Sequence, residues 1–165
     1  MVVRIRRPAK GAHFVHPVEA ASRTAVLLPG FRQTKLVRVF PEGWTERARR
    51  FRPLGLAGSL EQLRAIAAEG WPLEQAVIIL SRADTTEPSA EDRELLWSAF
   101  GVPVFEQYLD PRNRLLATEC DAHAGLHVVR GCEHLDLEHE VCPCGSAVPR
   151  LTRGARMEDL AALLA

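Results

Sequence analysis

All four cysteines of this 165-residue chain stand between positions 120 and 144. They occur as Cys120-Asp-Ala-His123-Ala-Gly-Leu-His127, then Cys132, then Cys142-Pro-Cys144-Gly145. Soft thiolates and imidazoles suit zinc better than ions that prefer oxygen. A tetrahedral zinc site needs four such ligands converging at about 2.0–2.3 Å. Cys142-x-Cys144 sets two thiolates on one tight turn, and Gly145 lets the backbone fold around them. Cys120 and His127 can supply the other two from a loop between strands. The expected ligands are therefore Cys120, His127, Cys142 and Cys144. Cys132 is an alternative to His127 or Cys120, and His123, His134 and His139 are further candidates. Four protein ligands leave no open position for water, so the expected ion is structural rather than catalytic.

Other reactive arrangements are weaker. Cys142-x-Cys144 is not the Cys-x-x-Cys spacing of a dithiol redox motif. No Gly-x-Ser-x-Gly turn offers a serine nucleophile. His13 and His16 read as surface or packing residues, and Glu91, Asp92 and Glu94 as the acidic first turn of a helix. Glu133, Asp136, Glu138 and Glu140 interleave with the cysteines and would repel phosphate, which argues against a nucleic-acid-binding zinc ribbon.

The elements that must position these residues read as an α/β domain. Ala25–Leu28 and Leu36–Phe40 have strand character, and Thr45 stands where it can cap a short helix from Glu46 to Phe51. Leu54-Gly-Leu-Ala57 is a short apolar run between turn residues. Ser59-x-x-Gln62 and Ser89-x-x-Asp92 have capping-box spacing. Leu60, Leu63, Ile66 and Ala67 form the inner face of the first capped helix; Leu95, Leu96 and Phe100 form that of the second. Gly70 and Gly101 are placed to end them. Ala76-Val-Ile-Ile-Leu80 is β-branched without alternation, as in a strand buried on both faces of a parallel sheet. Val102–Tyr108 is a further strand, and Leu115–Thr118 and Leu126–Val129 are short strands flanking the first metal candidates. A last helix is expected from Arg156 to Leu164. The fold class is thus α/β, a mostly parallel sheet with flanking helices plus a small zinc-bound C-terminal β element. The expected division is an irregular basic segment over 1–22 with a frayed, solvated terminus, a sheet subdomain over 23–118, and a zinc module with terminal helix over 119–165.

The 47% hydrophobic and 25% charged composition is that of a globular chain, and its zero net charge gives no broad attraction to nucleic acid or membrane. No apolar run approaches ~18 residues. The N-terminus lacks a secretory h-region, so a cytoplasmic location is expected, where clustered thiols bind metal more often than they pair.

Two tail segments carry a resemblance. Glu119-Cys-Asp-Ala-His-Ala-Gly-Leu-His127 and Cys142-Pro-Cys-Gly-Ser-Ala-Val-Pro-Arg-Leu151 resemble paired segments of the phenylacetate–CoA ligases and the related coenzyme F390 synthetases, adenylate-forming enzymes. The likeness extends over about 54–159. It implies that the matching Cys120, His127, Cys142 and Cys144 hold zinc, and that Tyr108 is what remains of an adenylate motif reading Tyr-Gly-x-Thr-Glu. Leu109, Pro111 and Arg112 replace the Gly, Thr and magnesium-binding Glu of that motif. The Ser/Thr/Gly-rich phosphate loop and the ribose-binding Tyr-Arg-Thr-Gly-Asp segment have no counterpart, and the chain ends where the family's C-terminal domain would begin. The expectation is a reduced, non-catalytic relative that acts through a protein partner or as a homodimer. Residual acyl-CoA or nucleotide handling near Tyr108, or metal- or redox-responsive regulation, are the alternatives.

Overall fold

The computed structural model describes residues 10–131 and 137–151. The expected terminal helix, Cys132, His134, Arg4, Arg6 and Arg7 lie outside the described residues. Eight strands form one sheet: β1 (Thr24–Val26), β2 (Val37–Val39), β3 (Gly55–Gly58), β4 (Ala76–Ser81), β5 (Val104–Leu109), β6 (Leu115–Glu119), β7 (Leu126–Val128) and β8 (Arg150–Leu151). Their order is β2-β1-β3-β4-β5-β6-β7-β8. The first five are parallel, and β6, β7 and β8 add antiparallel. The α/β class is as expected. The tail is the antiparallel half of the same sheet, because β6 runs through position 118 and carries the ladder into β7 and β8.

Three helices, α1 (Glu46–Arg50), α2 (Leu60–Glu69) and α3 (Ala90–Phe100), connect parallel strands. The capping boxes form as their spacing predicts. Ser59 accepts from the Gln62 N–H while Gln62 returns to the Ser59 N–H, and Ser89 and Asp92 do the same. Gly70 and Gly101 end these helices at φ 73° and 67°, the left-handed region that glycine enters without a Cβ clash. Thr45 differs from expectation: it stands at the N-cap of α1, but its side chain makes no cap hydrogen bond. Leu95 also differs, being 47% exposed while Leu96 and Phe100 of the same helix are buried. Leu96 and Phe100, four apart, share one face, and Leu95 is a turn-angle away from it.

Of the run Leu54–Ala57, expected to lie between turns, Gly55–Ala57 is part of strand β3. Its two glycines hid it, since glycine is a poor strand former. They sit where neighbouring side chains leave little room for a Cβ. A Cβ on Gly55 would stand 3.1 Å from Thr24 Oγ1, and one on Gly58 would stand 3.0 Å from Gln62 Oε1 and 3.2 Å from Leu27 Cδ1.

The core has two faces. Leu27, Leu56, Leu63, Ile66, Val77, Ile79, Leu96 and Val104 fill the helix side. Phe14, Val26, Phe31, Val39, Ile78, Leu80 and Phe105 fill the other. Phe14 corrects the expectation of a frayed, solvated terminus for the residues that are described there. It is 2% exposed, Ala12 bridges Phe31, and Gln107 Nε2 donates to the Val15 carbonyl at 2.8 Å. This irregular stretch covers the sheet face that carries no helix.

Candidate metal centre

Two short turns at the end of the sheet have the same local design. Cys120 follows β6 directly. The N–H of His123 donates back to the Cys120 carbonyl at 3.0 Å, the N–H of Ala122 is directed at the Cys120 sulfur, and His123 takes a positive φ of 51°. In the second turn the N–H of Gly145 donates to the Cys142 carbonyl at 2.8 Å, the N–H of Cys144 is directed at the Cys142 sulfur, and Gly145 has φ 89°. Each cysteine thus opens a turn whose third N–H faces its sulfur. Backbone N–H groups directed at sulfur favour the thiolate, which is the form that binds metal. The Cys142 N–H further donates to the Ser146 carbonyl at 2.9 Å, closing its loop.

The chain reaches β7 through Gly125, where φ is 109° and a Cβ would stand 2.7 Å from the Leu151 carbonyl oxygen. No other residue fits that approach without displacing β8. His127 then lies in β7, paired with Thr118 on β6 and Arg150 on β8. The Val128 N–H donates to the Pro149 carbonyl at 2.9 Å, and Glu138 and Arg150 exchange backbone hydrogen bonds at 2.9 and 3.0 Å. These bonds hang the second turn beside the first.

The result is a convergence of Cys120, His127, Cys142 and Cys144, with one ligand atom from each lying within 4.8 Å of all the others. Cys120 Sγ and Cys142 Sγ are 3.6 Å apart, and Cys144 Sγ and His127 Nε2 are also 3.6 Å apart. A disulfide needs about 2.05 Å, so the sulfurs are not bonded. A tetrahedron with about 2.0–2.3 Å arms has edges of about 3.3–3.8 Å, which brackets both separations. These four residues could hold a metal ion, and they are the expected set. His139, also a candidate, is not in the cluster. His123 faces the other way: its Nδ1 lies 3.1 Å from Glu119 Oε1 and its ring packs 5.2 Å from that of Phe105.

The protonation of the cluster fits a cation. Burial pushes the Cys120 thiol up to about 11, against the opposing Ala122 N–H, and the neighbouring cysteines add to the rise. The Cys144 N–H holds Cys142 below its ordinary value, against burial, with help from Cys144, Cys120 and the Arg150 charge. Crowded thiols resist holding several negative charges together, and a dication removes that resistance. Burial and then the Arg150 charge lower the His127 pKa, while the Val148 backbone opposes them. The imidazole is therefore kept neutral, as a ligand must be. Arg150 is itself 4% exposed, donates to the Ala124 carbonyl and pairs with Glu138 at 3.1 Å. This buried cation favours the thiolate of Cys142.

Tyr108 does not stand where the resemblance leads one to expect. It is 1% exposed and packs with Leu116, Ala117, Leu126 and Leu151 in the core of the tail. A side chain at that depth offers no face to a nucleotide. The residues after it form a closed turn. Asp110 accepts from the Arg112 and Arg114 N–H groups, each at 2.8 Å, and from Arg114 Nε at 2.6 Å. Burial would raise the Asp110 pKa, but the Arg114 and Arg112 bonds and the Arg114 charge hold it below the ordinary aspartate value.

One buried polar group escaped the sequence reading. Glu106 and Glu119 lie on adjacent antiparallel strands, both almost fully buried, with Arg93 of α3 between them. Arg93 Nη1 donates to both Glu119 oxygens at 3.2 and 2.9 Å, and Nη2 to Glu106 Oε2 at 3.0 Å. The Ser81 hydroxyl donates to Glu106 Oε1 at 2.8 Å, and the Glu106 N–H to Glu119 Oε2 at 2.8 Å. Burial pushes the Glu106 carboxyl up and the nearby Glu119 charge adds to this, while Ser81 and Arg93 oppose it. The signal was available: a glutamate inside a buried strand must find a cation or a donor.

An open groove of about 490 Å³ lies beside this group, lined by Ala90, Arg93, Glu94, Trp97, Pro103, Val104 and His123. Among the described residues, no helix is long and apolar enough to cross a membrane. No protein-family model and no curated protein sequence matches this chain.

Proposed function

We propose that Cys120, His127, Cys142 and Cys144 hold a structural zinc ion, and that the protein is a zinc-stabilised, non-catalytic relative of part of the phenylacetate–CoA ligases. The observation that carries this reading is the repeated turn. Two cysteines, each presented with an N–H aimed at its sulfur, converge with a third cysteine and a neutral histidine, and two of the separations, 3.6 Å each, match a tetrahedral edge. Three thiolates and one imidazole favour zinc over ions that prefer oxygen. Four protein ligands leave the ion no open position for a substrate.

The place of the site supports a structural role. Gln107 pairs with Thr118, so Cys120 lies toward the start of β5. Ligands of open α/β sheets bind outside the carboxyl ends of the strands, which is the opposite edge. The burial of Tyr108 weakens the alternative of residual acyl-CoA or nucleotide handling. The protein then acts through a protein partner or as a homodimer in a reducing compartment. Val129, Val141 and Val148, all exposed in the tail, give such a contact apolar surface.

The purified protein should carry one zinc per chain by elemental analysis, and EDTA should lower its melting temperature. Metal-free protein, or melting that ignores the chelator, would sink the zinc reading. Calorimetry with ATP, AMP and an acyl-CoA should give no binding heat; heat with any of them would restore the enzyme reading. Light scattering of the isolated chain tests the homodimer.

A further inference from the structure

Arg93 touches none of the four candidate ligands, yet it holds the residue next to one of them. Glu119 is the last residue of β6, and Cys120 follows at once. Its carboxylate takes four hydrogen-bond contacts: two from Arg93 Nη1, one from the Glu106 N–H, and one from His123 Nδ1. His123 in turn closes the Cys120 turn through its backbone N–H. Both ends of that turn are therefore tied to one buried carboxylate, and that carboxylate is tied to α3.

The two sets of side chains lie on opposite faces of the sheet. Thr118 and His127 are a cross-strand pair, so they share a face; Glu119, the next residue, points to the other, where α3 supplies Arg93. The sheet separates the metal centre from its support. The support also has no spare charge. Glu106 and Glu119 would repel across the strand pair if Arg93 did not fork between them. Removing the guanidinium leaves two buried carboxylates facing each other and takes from Glu119 two of those four contacts, which frees it to swing away. Its swing would carry the backbone of Cys120 with it.

We propose that Arg93 is a positioning residue of the metal centre, fixing the Cys120 turn through Glu119 and His123 from the opposite face of the sheet. This rests on the zinc reading above. Partners that orient ligands from outside the coordination sphere typically contribute about 10–100-fold in metal affinity. The groove beside Arg93 is walled by His123 of the same turn, so loosening the turn also reshapes that surface.

The test measures zinc affinity by competition with a chromophoric chelator, and the absorption of the cobalt-substituted protein, for the full chain. Arg93→Met should bind zinc about 10–100-fold more weakly and alter the cobalt d–d bands. Arg93→Lys, which supplies one point charge in place of a fork, should fall between it and the wild type. Leu96→Ala removes a fully buried side chain of the same helix. It should lower the melting temperature but leave zinc affinity within twofold and the cobalt spectrum unchanged. Wild-type affinity and spectrum in Arg93→Met, or equal weakening by Leu96→Ala, overturns the proposal. If Arg93→Met does not fold, Arg93→Lys and Glu119→Gln decide it by the same two readouts. A wild-type chain that binds no zinc refutes the zinc reading itself, which is a separate result.

Discussion

The parallel half of the sheet and its antiparallel tail are held by different forces. On the helix side of β1–β5, fourteen buried apolar residues form one cluster, and a second cluster covers the other face. Among the described residues, the tail has a cluster of five, Tyr108, Leu116, Ala117, Leu126 and Leu151. At roughly 1.5–3 kcal/mol for each fully buried large side chain, that cluster contributes less than either of the other two. The tail adds a cluster of three cysteines and a histidine that could hold a metal ion, a buried arginine beside it, and a carboxylate pair locked by Arg93. The parallel half should fold on its apolar surface, and the tail, on the proposed zinc reading, on its polar and metal cross-links.

On the proposed zinc reading, disrupting the cluster gives the sharpest contrast. Cys142→Ser deletes one of four proposed ligands, and a quarter of the roughly 10–16 kcal/mol of a structural zinc site is about 2.5–4 kcal/mol. Hydrogen exchange should then accelerate through β6–β8 while β3 and β4 stay protected. Uniform acceleration through both halves would show that the division is false. Leu63→Ala, at a 0% exposed position on α2, strikes the other half. It should cost about 3 kcal/mol in global unfolding, read by urea titration, and leave zinc affinity unchanged.

Asp110→Asn acts at the junction, in the turn between β5 and β6. It replaces a carboxylate that accepts three short hydrogen bonds and should cost about 2 kcal/mol near neutral pH. Asp110 has a folded pKa below its unfolded value, so its contribution is present above the ordinary aspartate range, about 3.9, and is lost as pH falls through the depressed folded value. The stability gap between wild type and Asp110→Asn should therefore narrow below about pH 4, and a gap that is constant with pH would remove the charge from the account. Ser59→Ala takes away one side of the α2 capping box and should cost about 1 kcal/mol, with no change in the tail.

What could be read in the sequence was mostly local. Capping boxes, helix-ending glycines and the all-apolar β4 need only nearest neighbours in the chain, and each formed as its residues indicated. Thr45 shows the limit of that rule, since the right residue at the N-cap still left its side chain without the bond. β3 was hidden because its glycines answer in part to Thr24 and Leu27, which are distant in the chain. Leu95 was assigned inward because apolar spacing on a helix defines a stripe but not its width.

The four candidate ligands were legible because thiolates and imidazoles at tight-turn spacing have few other uses in one short stretch. Their chemistry belongs to residue type, and type is written in the chain. The Arg93–Glu119–Glu106 group and the depth of Tyr108 were decided by tertiary structure alone. An arginine, two glutamates and a tyrosine are ordinary residues in isolation. Only strand register and the placement of α3 bring the charges together, remove them from water and close the core over the tyrosine.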